Sequence, residues 1–391
     1  MKTKILALSL MFVVSVGFAQ TRSMNFEKIT FSEIKAKAKK ENKLIFIDAY
    51  TSWCGLCKWM AKNVFTNDTV ADYFNAKFDM EVGEGIEIAK LYEVQCYPSL
   101  LFIDGDGKLI HRGAGGLSVK KFTQLAEDAL NPEKRFSKYK DEYPLKKNDP
   151  SFLREYIEAV SKTCLSYEVP VQDYFKTQKD EVLANRANWN MIRDYSSNYK
   201  NREFMYLLNN VETFNKAYTA DSVNSKIMEV FLNEGFSIIY ASEIKEADYT
   251  AYIEEIKKIK FSALDATLFK LDMGYHKKKE DWKKYIDLSV EKGDKYFHNA
   301  EEYNNISWDI YEHSDDKIAL QKAESWMQKA IKDEPNWYHY DTYAGVLYKL
   351  NKKQEAKAAG NKAIEIAKKA GIGEEEYIGT TELLQKIEKL K

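Results

Sequence analysis

Ile45-Phe-Ile-Asp-Ala-Tyr-Thr-Ser-Trp-Cys-Gly-Leu-Cys-Lys58 decides the reading of this chain. The apolar run Leu44 to Ile47 reads as a buried strand, a short turn follows, and Lys58-Trp59-Met60-Ala61 opens a helix. Cys54 then falls at or just before a helix N-terminus. Unpaired backbone N–H groups and the positive end of the helix dipole favour a thiolate there. Cys54 and Cys57, spaced Cys-x-x-Cys on a first helical turn, are close enough to form a disulfide and break it again. An attacking thiol of low pKa beside a resolving thiol supplies both halves of dithiol–disulfide exchange.

A chain of 391 residues, 45% of them apolar, has room for two or three domains with real cores. Residues 1–19 read as a signal peptide. Lys2 and Lys4 make a basic start, Ile5 to Phe18 is apolar, and Gly17-Phe18-Ala19 offers small residues at a cleavage site after Ala19. The alternative is an uncleaved N-terminal anchor. Export would place the protein in the periplasm or another extracytoplasmic, oxidising space, where partners set the redox state of the Cys pair. Loss of Lys2 and Lys4 takes the net charge from −1 to −3. Acidic and basic residues interleave, which argues against a nucleic-acid partner. Four cysteines, Cys54, Cys57, Cys96 and Cys164, are too few for a disulfide framework in a chain this long.

Outward from the first stretch, Thr30-Phe-Ser-Glu33 has capping-box spacing ahead of a helix over 34–41. Helices are expected over 58–65 and 70–74, a short strand over 78–82 and a helix over 86–92. Leu100 to Ile103 is a buried strand, Asp104-Gly-Asp-Gly107 a hairpin turn and Leu109 to Arg112 the returning strand. Ser118 caps a helix to Leu130. This order in about 110 residues predicts a mixed sheet flanked by helices.

Beyond Asn131 the character changes. Pro132, Pro144 and Pro150 punctuate a charged stretch, read as a linker over 132–150. Residues 151–391 read as an all-α region. No Gly occurs between Leu117 and Glu234, and apolar residues recur at three- and four-residue steps, as in Phe152, Tyr156 and Val160 or Tyr249, Tyr252, Ile253 and Ile256. Ala323, Ala330 and Pro335 recur 33 residues later as Ala356, Ala363 and Lys368. This resembles a tetratricopeptide repeat at about 300–370, although the period is one residue short and the second copy lacks the Pro. Such repeats stack into concave surfaces, so the region is either a peptide- or protein-binding module or a packing scaffold.

Trp53-Cys-Gly-Leu-Cys-Lys58 after a strand, Asp48 six residues before Cys54, and Tyr97-Pro98-Ser99 before a second buried strand together resemble the thioredoxin fold family, over roughly Phe31 to Leu130. A thioredoxin-like domain is accordingly assigned to 26–131. Asn63-Val-Phe-Thr-Asn-Asp-Thr-Val70 resembles the subgroup containing the C-terminal domain of bacterial membrane thiol reductases, which also occurs as exported proteins, some with helical repeats attached. The resemblance implies that Cys54 attacks, Cys57 resolves and Asp48 is the buried carboxylate behind them. It also implies that Pro98 is a cis-proline and that Trp53, Gly55, Leu56, Tyr97 and Pro98 line the substrate groove. A carboxylate in an apolar strand gains affinity for its proton and can accept the one Cys57 must lose. A turn-capping role is the alternative for Asp48.

Three departures from the family pattern stand out. Leu56 occupies the position of a Pro, Ser99 that of a Thr, and the segment 75–80 is short, which suggests a truncated strand with Lys77 as a possible basic neighbour of Asp48. Rival readings of the cysteines are half a zinc site completed by Cys96 and His111, or a permanent structural disulfide. Cys96 reads as a packed small hydrophobe or a third redox thiol, and Cys164 as a buried orphan on a helix. The reading adopted is an α/β thioredoxin-like domain followed by an all-α, partly repeat-like domain. Its expected function is thiol–disulfide exchange on protein thiols and disulfides, without a cofactor or metal. The electron donor is a membrane or soluble thiol protein, and the helical domain has a possible peptide or protein ligand. The alternative is a helical binding module with a structural or vestigial Cys pair.

Overall fold

A computed structural model describes residues 22–83 and 85–390. The expected signal segment, 1–19, lies outside the described residues. The chain divides into two compact units, one ending at Ser196 and the other beginning at Ser197.

The first unit is built on a four-stranded sheet. Helix α1 (Phe31–Glu41) opens with a complete capping box, Thr30 accepting from the Glu33 N–H and Glu33 from the Thr30 N–H. Asn42, with φ 51°, turns the chain into β1 (Leu44–Ala49). Helices α2 (Gly55–Asn63) and α3 (Asp68–Lys77) lead to β2 (Phe78–Gly83). Helix α4 (Ile86–Leu91) precedes the hairpin β3 (Ser99–Ile103) and β4 (Leu109–Ala114), and α5 (Val119–Leu130) follows. The strand order is β2-β1-β3-β4, with β1 parallel to β2 and antiparallel to β3, and β3 antiparallel to β4. At the hairpin, Asp104 Oδ1 accepts from the N–H groups of Asp106 and Lys108, and Gly107 takes φ 89°. β2 is not truncated: its six residues pair with the whole of β1, from Leu44 opposite Phe78 to Ala49 opposite Gly83.

Alternation along the strands builds two cores. Phe46, Leu100 and Phe102 pack with Met60, Val64, Phe74 and Phe122 under α2, α3 and α5; Phe74 and Phe122 stack at 4.4 Å. Ile45, Ile47, Leu101 and Ile103 pack on the other face with Ile34, Ala38 and Tyr92. Burying both faces of β1 and β3 explains their near-continuous apolar runs.

The stretch 132–150, read as a linker, is largely helical. Helix α6 (Phe136–Lys146) runs through most of it and is followed by α7 (Pro150–Ser161), α8 (Glu168–Lys176) and α9 (Arg186–Tyr195). Phe136, Tyr139 and Tyr143 recur at helical spacing and pack with Phe152, Tyr156 and Leu109 of β4. The prolines misled because Pro150 occupies the first position of α7, where its missing N–H costs nothing, and Pro144 stands close to the end of α6. The Phe136 N–H donates to His111 Nδ1 at 3.0 Å, and burial lowers the His111 pKa to about 4, so this nitrogen stays free to accept.

The second unit is helical throughout: α10 (Arg202–Asn209), α11 (Val211–Tyr218), α12 (Ala220–Ile239), α13 (Glu246–Ile256), α14 (Leu264–Lys278), α15 (Trp282–Tyr296), α16 (Ala300–His313), α17 (Lys317–Asp333), α18 (Trp337–Lys349), α19 (Lys353–Lys369) and α20 (Ile378–Glu388). Ala323, Ala330, Ala344, Ala356 and Ala363 are fully buried, and Gly345 brings its backbone so close to the Tyr311 ring that an added Cβ would lie 3.1 Å from it. Small residues at these positions let neighbouring helices approach closely. Among the described residues no helix is long and apolar enough to cross a membrane.

Candidate functional site

β1 ends at Ala49, and a short loop delivers Cys54 to the N-cap of α2. The Cys54 N–H donates to the Thr51 carbonyl, and Cys54 Sγ accepts the Cys57 N–H at 3.1 Å. The sulfur therefore takes the place a Ser or Asp side chain fills at an ordinary helix start. A negative charge on that atom would meet both an N–H donor and the positive helix end. Cys54 and Cys57 are disulfide-bonded, with their Cα atoms 5.3 Å apart, so the structure presents the oxidised pair. Both residues are largely covered, at 6% and 4% exposure, while Trp53 beside them is 75% exposed and Leu56 54%. Gly55 is exposed, with open space where a Cβ would stand.

The loop before β3 forms the opposing wall. The Tyr97–Pro98 peptide is cis. Tyr97 meets Trp53 edge-on at 6.0 Å, and the two rings help line a cleft of about 260 Å³ with Thr51, Ile86 and Ala89. Arg112, Gly115 and Gly116, not singled out as site residues in the sequence, help hold this wall, together with Ser99. The Gly115 N–H donates to the Pro98 carbonyl, and an added Cβ on Gly116 would lie 3.1 Å from Leu56 Cδ2. Arg112, only 2% exposed, donates to the carbonyls of Tyr92 and Glu93 at the start of the loop. Ser99 Oγ donates to the Cys96 carbonyl at 2.8 Å. A charged residue inside a strand that is otherwise buried was the one available sequence signal for Arg112.

Asp48 lies on β1 opposite Leu100, on the sheet face that carries Phe46, against which Met60 of α2 packs. α2 covers that face, with Cys57 and Met60 as its buried residues. One Asp48 oxygen is buried without a hydrogen-bond partner, and burial raises the carboxyl pKa to about 7. Lys77 is no neighbour. It precedes Phe78, which pairs with Leu44 at the far end of β1, because β1 and β2 run parallel.

A family model described as a thioredoxin-like domain matches residues 31–130. Thioredoxin-2 of Saccharomyces cerevisiae is 31% identical over 23% of this chain and 86% of its own. The chain belongs to the thioredoxin family. The chloroplastic thioredoxin Y of Oryza sativa is 28% identical over 29% of this chain and 67% of its own. A solution structure from Bacteroides thetaiotaomicron, named as a candidate disulphide-isomerase, is 36% identical, covers 29% of this chain and 98% of its own, and superposes with a TM-score of 0.27. The chain thus joins a Cys54-x-x-Cys57 pair in a thioredoxin-like domain to a long helical region.

The first unit holds a second disulfide that the sequence did not disclose, joining the thioredoxin-like domain to the turn after α7. Cys96 and Cys164 are bonded across a separation of 68 residues. Cys96 is neither a packed hydrophobe nor a free thiol, and Cys164 is not a buried orphan: it is exposed, in the turn after α7, with φ 59°. The half-zinc reading falls with the same observation, since Cys96 is bonded to Cys164 and His111 Nδ1 accepts from Phe136. A crosslink closing a loop of this length restricts the unfolded chain. Replacing both Cys96 and Cys164 by Ser is expected to lower stability by about 4 kcal/mol, read by urea unfolding of the oxidised protein.

Proposed function

We propose that this protein is an exported, periplasmic or otherwise extracytoplasmic, thiol–disulfide oxidoreductase acting on protein substrates. The observation that carries the reading is Cys54 Sγ at the N-cap of α2, accepting the Cys57 N–H, beside a cis Tyr97–Pro98. In the reduced protein, the Cys54 thiolate attacks a substrate disulfide, and one substrate sulfur leaves with the electron pair of that bond. Cys57 then loses its proton and attacks Cys54 Sγ. The second substrate sulfur leaves as a thiolate, and the Cys54–Cys57 disulfide remains. Asp48 takes the Cys57 proton, a role suited to a carboxyl whose pKa is about 7. Trp53, Leu56 and Tyr97 supply apolar walls, and the backbone at Tyr97 and Pro98 receives an extended substrate segment as an added strand. A membrane or soluble thiol protein returns the electrons. The domain of 26–131 is the redox module, and its sequence fits the subgroup related to the C-terminal domain of membrane thiol reductases.

The helical unit supports an accompanying reading as a tetratricopeptide-like binding module over about 300–370. The fully buried small residues Ala323, Ala330, Ala356 and Ala363, repeating at a 33-residue step, favour it.

Rapid alkylation of the reduced protein across pH tests the redox reading. Cys54 should react as a thiolate with an apparent pKa well below the free value of about 8.5. An ordinary pKa together with failure to reduce insulin would leave the Cys pair a structural crosslink.

A further inference from the structure

The reaction above makes no use of the second disulfide, yet Cys96 lies in the loop that carries Tyr97 and Pro98. That loop is fixed at both ends. Arg112 holds the Tyr92 and Glu93 carbonyls, and the Gly115 N–H holds the Pro98 carbonyl. Between these points, the Val94 N–H donates to the Ala89 carbonyl and Ser99 Oγ to the Cys96 carbonyl, Glu93 and Gln95 are exposed, and the Cys96 side chain is tied to the turn after α7. The crosslink is not what seats α6 and α7 on the sheet, because Phe136, Tyr139 and Leu109 pack there and the Phe136 N–H bonds to His111. Its mechanical effect falls on residues 93–97. Cys164 is an exposed residue whereas Cys96 is half-buried, and inert structural disulfides are commonly shielded, so Cys164 is the end of the bond offered to an external thiolate.

We propose that Cys96–Cys164 is a second thiol–disulfide exchange site, opened by a partner protein dithiol at the exposed residue Cys164, and that its state sets how firmly the Tyr97–Pro98 loop receives a protein substrate. The proposal rests on the reading of Cys54–Cys57 as the exchange pair. A partner thiolate attacks Cys164 Sγ, the Cys96–Cys164 bond breaks, and Cys96 leaves with its electron pair. The partner's second thiolate then attacks the partner sulfur of the mixed disulfide and releases Cys164. Two protons from the partner's thiols end on Cys96 and Cys164. The partner is oxidised to a disulfide and the site is reduced to a dithiol. Closed, the bond holds the loop in the receiving conformation. Open, the loop keeps the Val94 and Ser99 hydrogen bonds but loses its tie to the turn after α7, and the substrate must supply the remaining order, which weakens capture without touching the chemistry at Cys54.

Two measurements on the full chain test this. In Cys54→Ser/Cys57→Ser protein only the second pair titrates. Equilibration in glutathione buffers, with alkylation and mass spectrometry, should show it opening where an inert structural disulfide stays closed, and hydrogen exchange of 93–97 should rise about fivefold on opening. A pair that stays closed throughout, or a loop whose exchange does not change, overturns the proposal. In Cys96→Ser/Cys164→Ser protein, KM for insulin should rise about fivefold, with kcat and the rate on a small aromatic disulfide unchanged. An unchanged KM, or equal losses on both substrates, overturns it as well. Should the parent protein reduce neither substrate, the reading of Cys54–Cys57 fails, and the glutathione titration with its exchange readout decides the second site alone.

Discussion

Cys54→Ala is expected to lower insulin reduction by about a thousandfold or more, while Cys57→Ala accumulates a mixed disulfide with the substrate. The asymmetry follows from the helix start. Only Cys54 Sγ accepts an N–H from the turn it caps, and the residue is flanked by the exposed rings and chains of Trp53 and Leu56. Cys54 and Cys57 are covered alike, at 6% and 4% exposure, so the difference lies in position: Cys54 caps α2, whereas Cys57 is one of the two buried residues within it. On the proposed mechanism a substrate disulfide is attacked by Cys54, and the resulting mixed disulfide by Cys57. Removing the first sulfur ends the reaction before it starts. Removing the second stops it midway, with the substrate attached. Non-reducing electrophoresis and mass spectrometry separate the two outcomes. Parent-like turnover by Cys54→Ala would remove the enzyme reading outright.

The parts of this site legible in the sequence are those whose physics is local. A strand that runs into a turn and a helix places Cys54 at an N-cap whatever lies elsewhere, and Thr30 with Glu33 closes its own capping box. The continuous apolar runs of β1 and β3 foretold buried strands, and both faces of these strands are packed. What stayed hidden depends on distant partners. Nothing in the spacing of Cys96 and Cys164 reveals that a turn 68 residues away returns to the loop before Pro98. Arg112 matters because its guanidinium reaches Tyr92 and Glu93, carbonyls on another segment. The stretch 132–150 was misjudged for a related reason. Its charges and prolines are local signals for a linker, whereas Phe136 and Tyr139 acquire a purpose only when β4 is there to pack against.

Asp48→Asn should raise stability at neutral and alkaline pH while slowing turnover. The Asp48 carboxyl has a pKa of about 7 in the folded protein because burial disfavours its charge, against about 3.9 in an unfolded chain. Between those values the folded protein holds a proton that the unfolded chain has released. Stability from this group is complete below pH 4, falls as pH rises through 7, and is lost above about pH 8. The loss amounts to roughly 4 kcal/mol. Asn carries no such charge, so the variant's stability relative to the parent should climb by about that amount between pH 4 and pH 9. Urea titration of the oxidised full chain, followed by hydrogen-exchange mass spectrometry of β1 and β3 peptides, reads the first unit by itself. The same substitution removes the proposed acceptor for the Cys57 proton, so the mixed disulfide should persist about tenfold longer or more at pH 7. The two effects have opposite signs, and that opposition is diagnostic. A turn-capping Asp would lose stability when replaced and leave resolution untouched. A buried base kept in its strand at an energetic cost does the reverse.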